Sequence, residues 1–272
     1  MRRSLSSLLI GLFILSVLLP MAWVWVSSLK SGPEIMASPW SWPESPKWEN
    51  YVSAWERAGI GRYFLNSLFV TAGTLVILIP IGAMAAYILA RFPFRGSKAL
   101  FATFLSGMMV PQFLAIVPLF FLMSRLGLFD TKHGLVIAYV AYSLSFTIFV
   151  LTGFFHQLPK ELEEAAELDG CSEYRTFWSV MLPLAKPGIL VVAIFNAIGL
   201  WNEYSLALVL VPSDANRTLP LGIANLVMVH QYQSDWGALF AALSIVMTPV
   251  LLVYLLFREK IHQTMLAGAL KG

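Results

Sequence analysis

The sequence predicts an all-α membrane protein with six transmembrane helices, and three observations lead there. Only 12% of the 272 residues are charged and 58% are hydrophobic, whereas an ordinary soluble domain carries roughly a quarter charged residues. Charge-free windows long enough for a helix to cross a bilayer core, roughly 20 residues, recur along the chain. These windows are continuous rather than short and alternating, which excludes a β-barrel. The same composition excludes a disordered chain, which would lack aromatic and branched residues. A single cysteine, Cys171, excludes a disulfide scaffold. The net charge of +3 is too small to argue for a nucleic-acid partner.

Taken in order, the first span is Ser4–Leu29. Arg2-Arg3 precede it, but the run exceeds a signal-peptide core and no small-residue cleavage pattern follows Trp23-Val24-Trp25, so it reads as a retained helix. Tyr63–Ala90, Ala99–Ser124 and Gly134–Phe155 are the second to fourth spans, and Ala238–Phe257 is the sixth. The fifth, Gly188–Pro212, differs in holding one acid, Glu203. Pro80, Pro111, Pro118 and Pro249 fall inside spans and read as ordinary kinks. The whole chain, 1–272, is one transmembrane domain on this reading. With the N-terminus inside, 11 of the 18 basic residues lie on the cytoplasmic side, most densely in the short loop Arg91–Lys98. Both termini are then cytoplasmic.

Two loops stand out. The first outer loop, Lys30 to Arg62, holds Trp40, Trp42, Trp48 and Trp55 among prolines. Trp favours the membrane–water interface, so this segment is expected along the outer surface. The inner loop 157–187 holds six of the 15 acids. Pro159 followed by Glu161, Glu163 and Glu164 predicts a helix start. Gly170 supplies a stop able to adopt the left-handed conformation, and a second helical stretch, Glu173 to Met181, is expected to end before Pro183. On composition, two readings of this loop stand level: a solvated acidic connection, or a knob that docks in a partner's groove.

The order of short motifs separates them. Glu164-Ala165-Ala166, Asp169-Gly170 and Leu182-Pro183 resemble the EAA motif of ABC importer permeases, in the carbohydrate-uptake branch of maltose-type and glycerol-phosphate-type importers. Tyr63-Phe64-Leu65-Asn66-Ser67, Ala85–Arg91, Met109-Val110-Pro111 and Ile116–Leu119 are similar to the family's earlier landmarks. Trp201-Asn202-Glu203, Thr218–Gly222, Asp235–Ala238 and the terminal Gly268–Gly272 continue the series. Cys171 stands where the family usually has Ala, and Thr264 and Leu266 where it commonly has Gly and Thr.

The resemblance implies a type I importer permease fold in a bacterial or archaeal inner membrane, and a transport subunit rather than an enzyme. It implies as partners a second permease (a heterodimer), two cytoplasmic ATPase subunits, an extracytoplasmic solute-binding protein, a sugar-like solute and membrane lipid. Glu164, Ala165, Ala166, Asp169, Gly170, Leu182 and Pro183 would form the ATPase-coupling surface. ATP and Mg would be held by the ATPases, since this chain has no G-x-x-x-x-G-K-[ST] phosphate loop.

Glu203 is the other residue of interest, because an acid at a span centre costs roughly 2.5–3.5 kcal/mol on insertion scales and faces protein or water. Two readings are open for Trp201, Asn202 and Glu203: a translocation-pathway site for a hydroxylated solute, or a structural acid hydrogen-bonded within the bundle. Asn66, Gln112 and Asn196 are candidates for interhelical hydrogen bonds. His133, His156, His230 and His262 are too scattered to suggest a metal site. An ion-coupled secondary transporter is the competing function, and would call for ionisable residues in several spans.

Overall fold

The computed structural model describes the backbone of residues 2–233 and 235–269, with side chains described for 7–228 and 235–258. Arg2, Arg3, His230, His262, Thr264, Leu266 and the closing Gly268–Gly272 motif therefore lie outside the described side chains. The helices are α1 (Arg2–Ser27), α2 (Gly32–Ala37), α3 (Glu49–Val52), α4 (Ile60–Arg91), α5 (Ser97–Met109), α6 (Gln112–Arg125) and α7 (Lys132–Gln157). They continue as α8 (Glu161–Leu168), α9 (Glu173–Thr176), α10 (Leu182–Leu184), α11 (Lys186–Trp201), α12 (Ser205–Leu210), α13 (Leu219–Gln233) and α14 (Trp236–Ala269). Among the described residues four helices are long and apolar enough to cross a membrane, and six spans result when each of two bent pairs counts as one.

The chain forms two compact units. The first comprises Met1–Leu65 and Thr218–Leu252. Its Trp-rich loop folds around Lys30, which is fully buried. The Lys30 ammonium donates to the Ser38 carbonyl at 3.0 Å, the Pro39 carbonyl at 3.3 Å and Ser41 Oγ at 3.2 Å. A buried charge requires such partners, and here neutral oxygens supply them. Asn50 closes the loop by donating to the Ser28 and Lys30 carbonyls, while Trp40, Trp42 and Trp48 stay exposed. Trp23 packs edge-on against Phe240 at 5.0 Å. Asp235 caps α14 by accepting from the Ala238 N–H at 3.1 Å.

The second unit comprises Asn66–Arg217 and Val253–Gly272, with α7 inside it. Half of the apolar window of α7 is buried, against α5 on one side and α11 on another. At the outer-loop end, Asn66 donates to the Ala215 and Arg217 carbonyls at 2.9 Å each and accepts from Lys132 Nζ at 3.1 Å. Deeper in the unit, Asn196 donates to Thr147 Oγ1 at 3.3 Å, a bond between α11 and α7.

Three expectations about straight elements are corrected. The third span is not a gently kinked helix but two helices, α5 and α6, meeting at 102°. Pro111 has no N–H for the ladder and forces its predecessor out of the helical region, so Val110 takes ψ 117°. The fifth span is also interrupted: α11 stops at Trp201 and α12 begins only at Ser205. The second loop helix does not end before Pro183. It widens into a π-helical turn over Phe177–Met181 and continues through Leu184. Pro183 cannot donate to the carbonyl four residues back, and the wider turn absorbs the mismatch.

The contact of α4 with α7 leaves no room at Gly82, where an added Cβ would lie 2.4 Å from Thr147 Cγ2. Thr147 is itself fully buried. Gly82→Val is therefore expected to destabilise the protein by about 1–3 kcal/mol, the usual penalty for overpacking. Thermal unfolding of the detergent-purified variant would show the reduction.

Candidate functional site

The loop 157–187 is a helical hairpin. The α8 helix ends in a Schellman arrangement: Cys171 N–H donates to the Ala166 carbonyl at 2.9 Å, and Gly170 N–H to the Glu167 carbonyl at 2.9 Å. This closure needs a left-handed residue, and Gly170 takes φ +76°. Ser172 then opens α9, its Oγ accepting from the Arg175 N–H at 3.4 Å. Of the motif residues, Glu164, Ala165, Asp169, Gly170 and Pro183 are exposed, Leu182 is half-buried and Ala166 is buried. Beside them, Leu168 is 89% and Tyr174 75% exposed. Glu164, Ala165, Leu168 and Asp169 are thus all exposed on α8 and its C-terminal cap, whereas Tyr174 lines a recess with Met84, Tyr87 and Phe92 of the α4 end.

The inward side of the hairpin is anchored twice. Phe177 and Met181 enter the buried cluster with Ala83, Ala86, Tyr87, Leu151 and Phe155. Tyr87 lies 5.1 Å from the Phe177 ring and 5.4 Å from the Phe155 ring. The second anchor is polar. Glu163 accepts from Arg91 Nε at 2.8 Å and from the Tyr87 hydroxyl at 2.8 Å. Arg91 also donates to the Leu158 and Pro159 carbonyls at 3.0 and 3.1 Å. The guanidinium fork therefore grips α8 and the segment leading into it, with the Arg91 side chain only 5% exposed.

Sequence alone does not distinguish these anchoring residues from their neighbours. Glu163 reads there as one of three first-turn acids, and Arg91 as one more positive-inside residue. The usable signal was their placement: an arginine on the last turn of a span and an acid one residue before the Glu-Ala-Ala triplet.

The second region centres on Glu203, half-buried between α11 and α12. Its Oε1 accepts from Gln112 Nε2 at 2.8 Å and from the Leu206 N–H at 2.8 Å. Its Oε2 accepts from the Tyr139 hydroxyl and from the Ala207 N–H at 3.1 Å. Both oxygens are thus engaged. The two backbone donors are orphans of the first turn of α12, satisfied as an N-terminal cap would satisfy them. Gln112 starts α6, immediately after the Pro111 break. Trp201 is buried, whereas Asn202 is exposed and donates to the Ile198 carbonyl one turn back at 2.8 Å. Trp201, Asn202 and Glu203 thus differ in exposure: buried, exposed and half-buried in turn.

Residues 78–266 match the family described as binding-protein-dependent transport system inner membrane component. The chain is 44% identical over 268 residues to the diacetylchitobiose uptake system permease protein NgcG of Streptomyces coelicolor, covering 98% of this chain and 89% of that one. It is 33% identical over 255 residues to the trehalose transport system permease protein SugB of Mycobacterium tuberculosis, covering 94% and 93%. The fold matches a chain of a bacterial ABC transporter involved in the import of the acidic polysaccharide alginate, with a TM-score of 0.80, 23% identity and 94% coverage of each chain.

Replacing Glu203 by Gln puts an NH2 group where two donors now point. Glu203→Gln is expected to destabilise the protein by about 1–3 kcal/mol, the cost of leaving a buried donor unsatisfied. Asn202→Ala, which removes only a bond within one helical turn, is expected to stay within about 0.5 kcal/mol. Parallel thermal unfolding of the two variants would check the contrast.

Proposed function

Because the chain belongs to the family of binding-protein-dependent transport system inner membrane components, we propose that it forms half of the translocation pathway for a disaccharide-sized sugar. It is a multi-pass inner-membrane permease subunit of an ABC importer. The solute class rests on its relatives, permease proteins of a diacetylchitobiose uptake system and a trehalose transport system. The ion-coupled alternative lacks support. Glu203 is the one acid in the predicted spans, and both its oxygens already accept hydrogen bonds within the chain.

The observation that carries the mechanism is the two-sided character of the loop 157–187. Its outward surface of Glu164, Ala165, Asp169 and Leu168 is free, and its inward side is fixed to α4 and α7. On our reading the loop is cytoplasmic and seats in a cleft of one ATPase subunit. Ala165 admits close backbone approach there, and Glu164 meets a basic residue. Gly170 lets the two helices turn sharply. Leu182 and Pro183 carry the turn back toward the membrane.

ATP and Mg belong to the paired ATPases. Their closure would move the hairpin as a rigid piece, and α4 with it. A second permease would complete the pathway as a heterodimer, and an extracytoplasmic binding protein would deliver the sugar. Glu203 acts in this scheme as a joint that holds two broken spans together, with Trp201 and Asn202 flanking it. The outward and inward faces would be exchanged by movement around that joint.

Ala165→Arg places a long cation on the seating surface while leaving the buried anchors intact. In proteoliposomes holding the assembled importer, its binding protein and trehalose or diacetylchitobiose, the variant is expected to lower ATP-dependent uptake about tenfold or more, as loss of an interface hot spot would. Normal uptake at normal assembly would contradict the docking assignment.

A further inference from the structure

Where α4 ends, α5 begins and α7 passes into α8, the surface opens into a recess of about 490 Å³. Its rim is basic, with Arg91, Lys98, His156 and Lys160, and its wall includes the apolar Leu89 and Phe101. No acid lines it. Arg91 is occupied by Glu163 and two carbonyls. Lys98 and Lys160 have no carboxylate within ion-pair distance among the described residues. The first turn of α5 adds to the positive field, having neither an acid nor a side-chain cap at Gly96.

We propose that this recess holds the headgroup phosphate of an anionic membrane phospholipid. The position argues for it. Both α4 and α7 qualify as membrane spans and end here, at Arg91 and Gln157, so the recess lies where a spanning helix leaves the hydrocarbon core. Basic recesses between span ends suit such headgroups. The composition argues for a lipid over a soluble phosphate. Lys98 and Lys160 provide unpaired ammonium groups for the phosphate oxygens, and Leu89 and Phe101 face the first methylenes of an acyl chain. The site is separate from the outward surface that seats the ATPase, but it shares Arg91 with the anchor of the hairpin. A lipid held there would brace the junction between the hairpin and α4.

The test is native mass spectrometry of the assembled importer released from detergent and titrated with phosphatidylglycerol, phosphatidylcholine or inorganic phosphate. The wild type is expected to retain one phosphatidylglycerol per copy of this chain more tightly than phosphatidylcholine. Lys98→Gln with Lys160→Gln is expected to weaken that binding about thirtyfold, from two lysines near an anionic surface. Lys160→Gln alone should weaken it about fivefold, which keeps the proposal testable if the double variant assembles poorly. Arg125→Gln, at another helix end, should leave it unchanged. Equal retention by wild type and both lysine variants would overturn the site. So would equal weakening by Arg125→Gln, which would mean diffuse surface attraction. Displacement of the lipid by millimolar inorganic phosphate would also overturn the lipid assignment, in favour of a soluble phosphate.

Discussion

The ion pair between Arg91 and Glu163 decides what the rest of the second unit can do. Without it, the acidic hairpin would hang from the membrane helices by its two ends and by the buried side chains of Phe177 and Met181. With it, α8 is tied to the last turn of α4 by charge, by the Tyr87 hydroxyl and by the two carbonyls of Leu158 and Pro159. Arg91 is nearly buried, so water does not compete strongly for the guanidinium. Removing either partner would leave the other charge poorly solvated, a cost that surface pairs do not carry. The hairpin is therefore stiff on the side facing the membrane helices and bare on the side facing away. That asymmetry is what a force-transmitting element requires.

Glu203 solves a different problem. A membrane interior tolerates interrupted helices only where the freed backbone groups find partners. Among the described residues, the third and fifth predicted spans are interrupted at Val110–Pro111 and at Asn202–Tyr204. One carboxylate serves both: it accepts the free N–H groups at the start of α12 and the amide of Gln112 at the start of α6, with Tyr139 joining from α7. An amide could not do the same, because it brings only one acceptor oxygen. The choice of an acid within a predicted span follows from this need.

Much of this was legible in the sequence, and the remainder was hidden for identifiable reasons. The charge-free windows located the spans because bilayer thickness sets their length. The turn at Gly170 was readable because few residues adopt positive φ. From sequence Pro111 reads as a kink, because a proline shows only that a helix is perturbed. Whether the angle becomes 102° depends on what Gln112 bonds to, and that partner lies 91 positions away. Glu163 was lost among neighbouring acids because its partner comes from the preceding span. The burial of Lys30 could not be read either, since its acceptors are backbone carbonyls that any sequence would provide.

If the loop 157–187 seats an ATPase as proposed, closure of that subunit reaches the membrane helices through the Arg91–Glu163 pair. The most direct measurement is the ratio of sugar transported to ATP hydrolysed in proteoliposomes for Arg91→Glu, Glu163→Arg and the double exchange. Each single change puts like charges together and is expected to depress the ratio while ATP hydrolysis persists. The double exchange, which restores opposite charges, is expected to recover a large part of it. A single variant that assembles normally and transports with the wild-type ratio would show that closure does not pass through this pair.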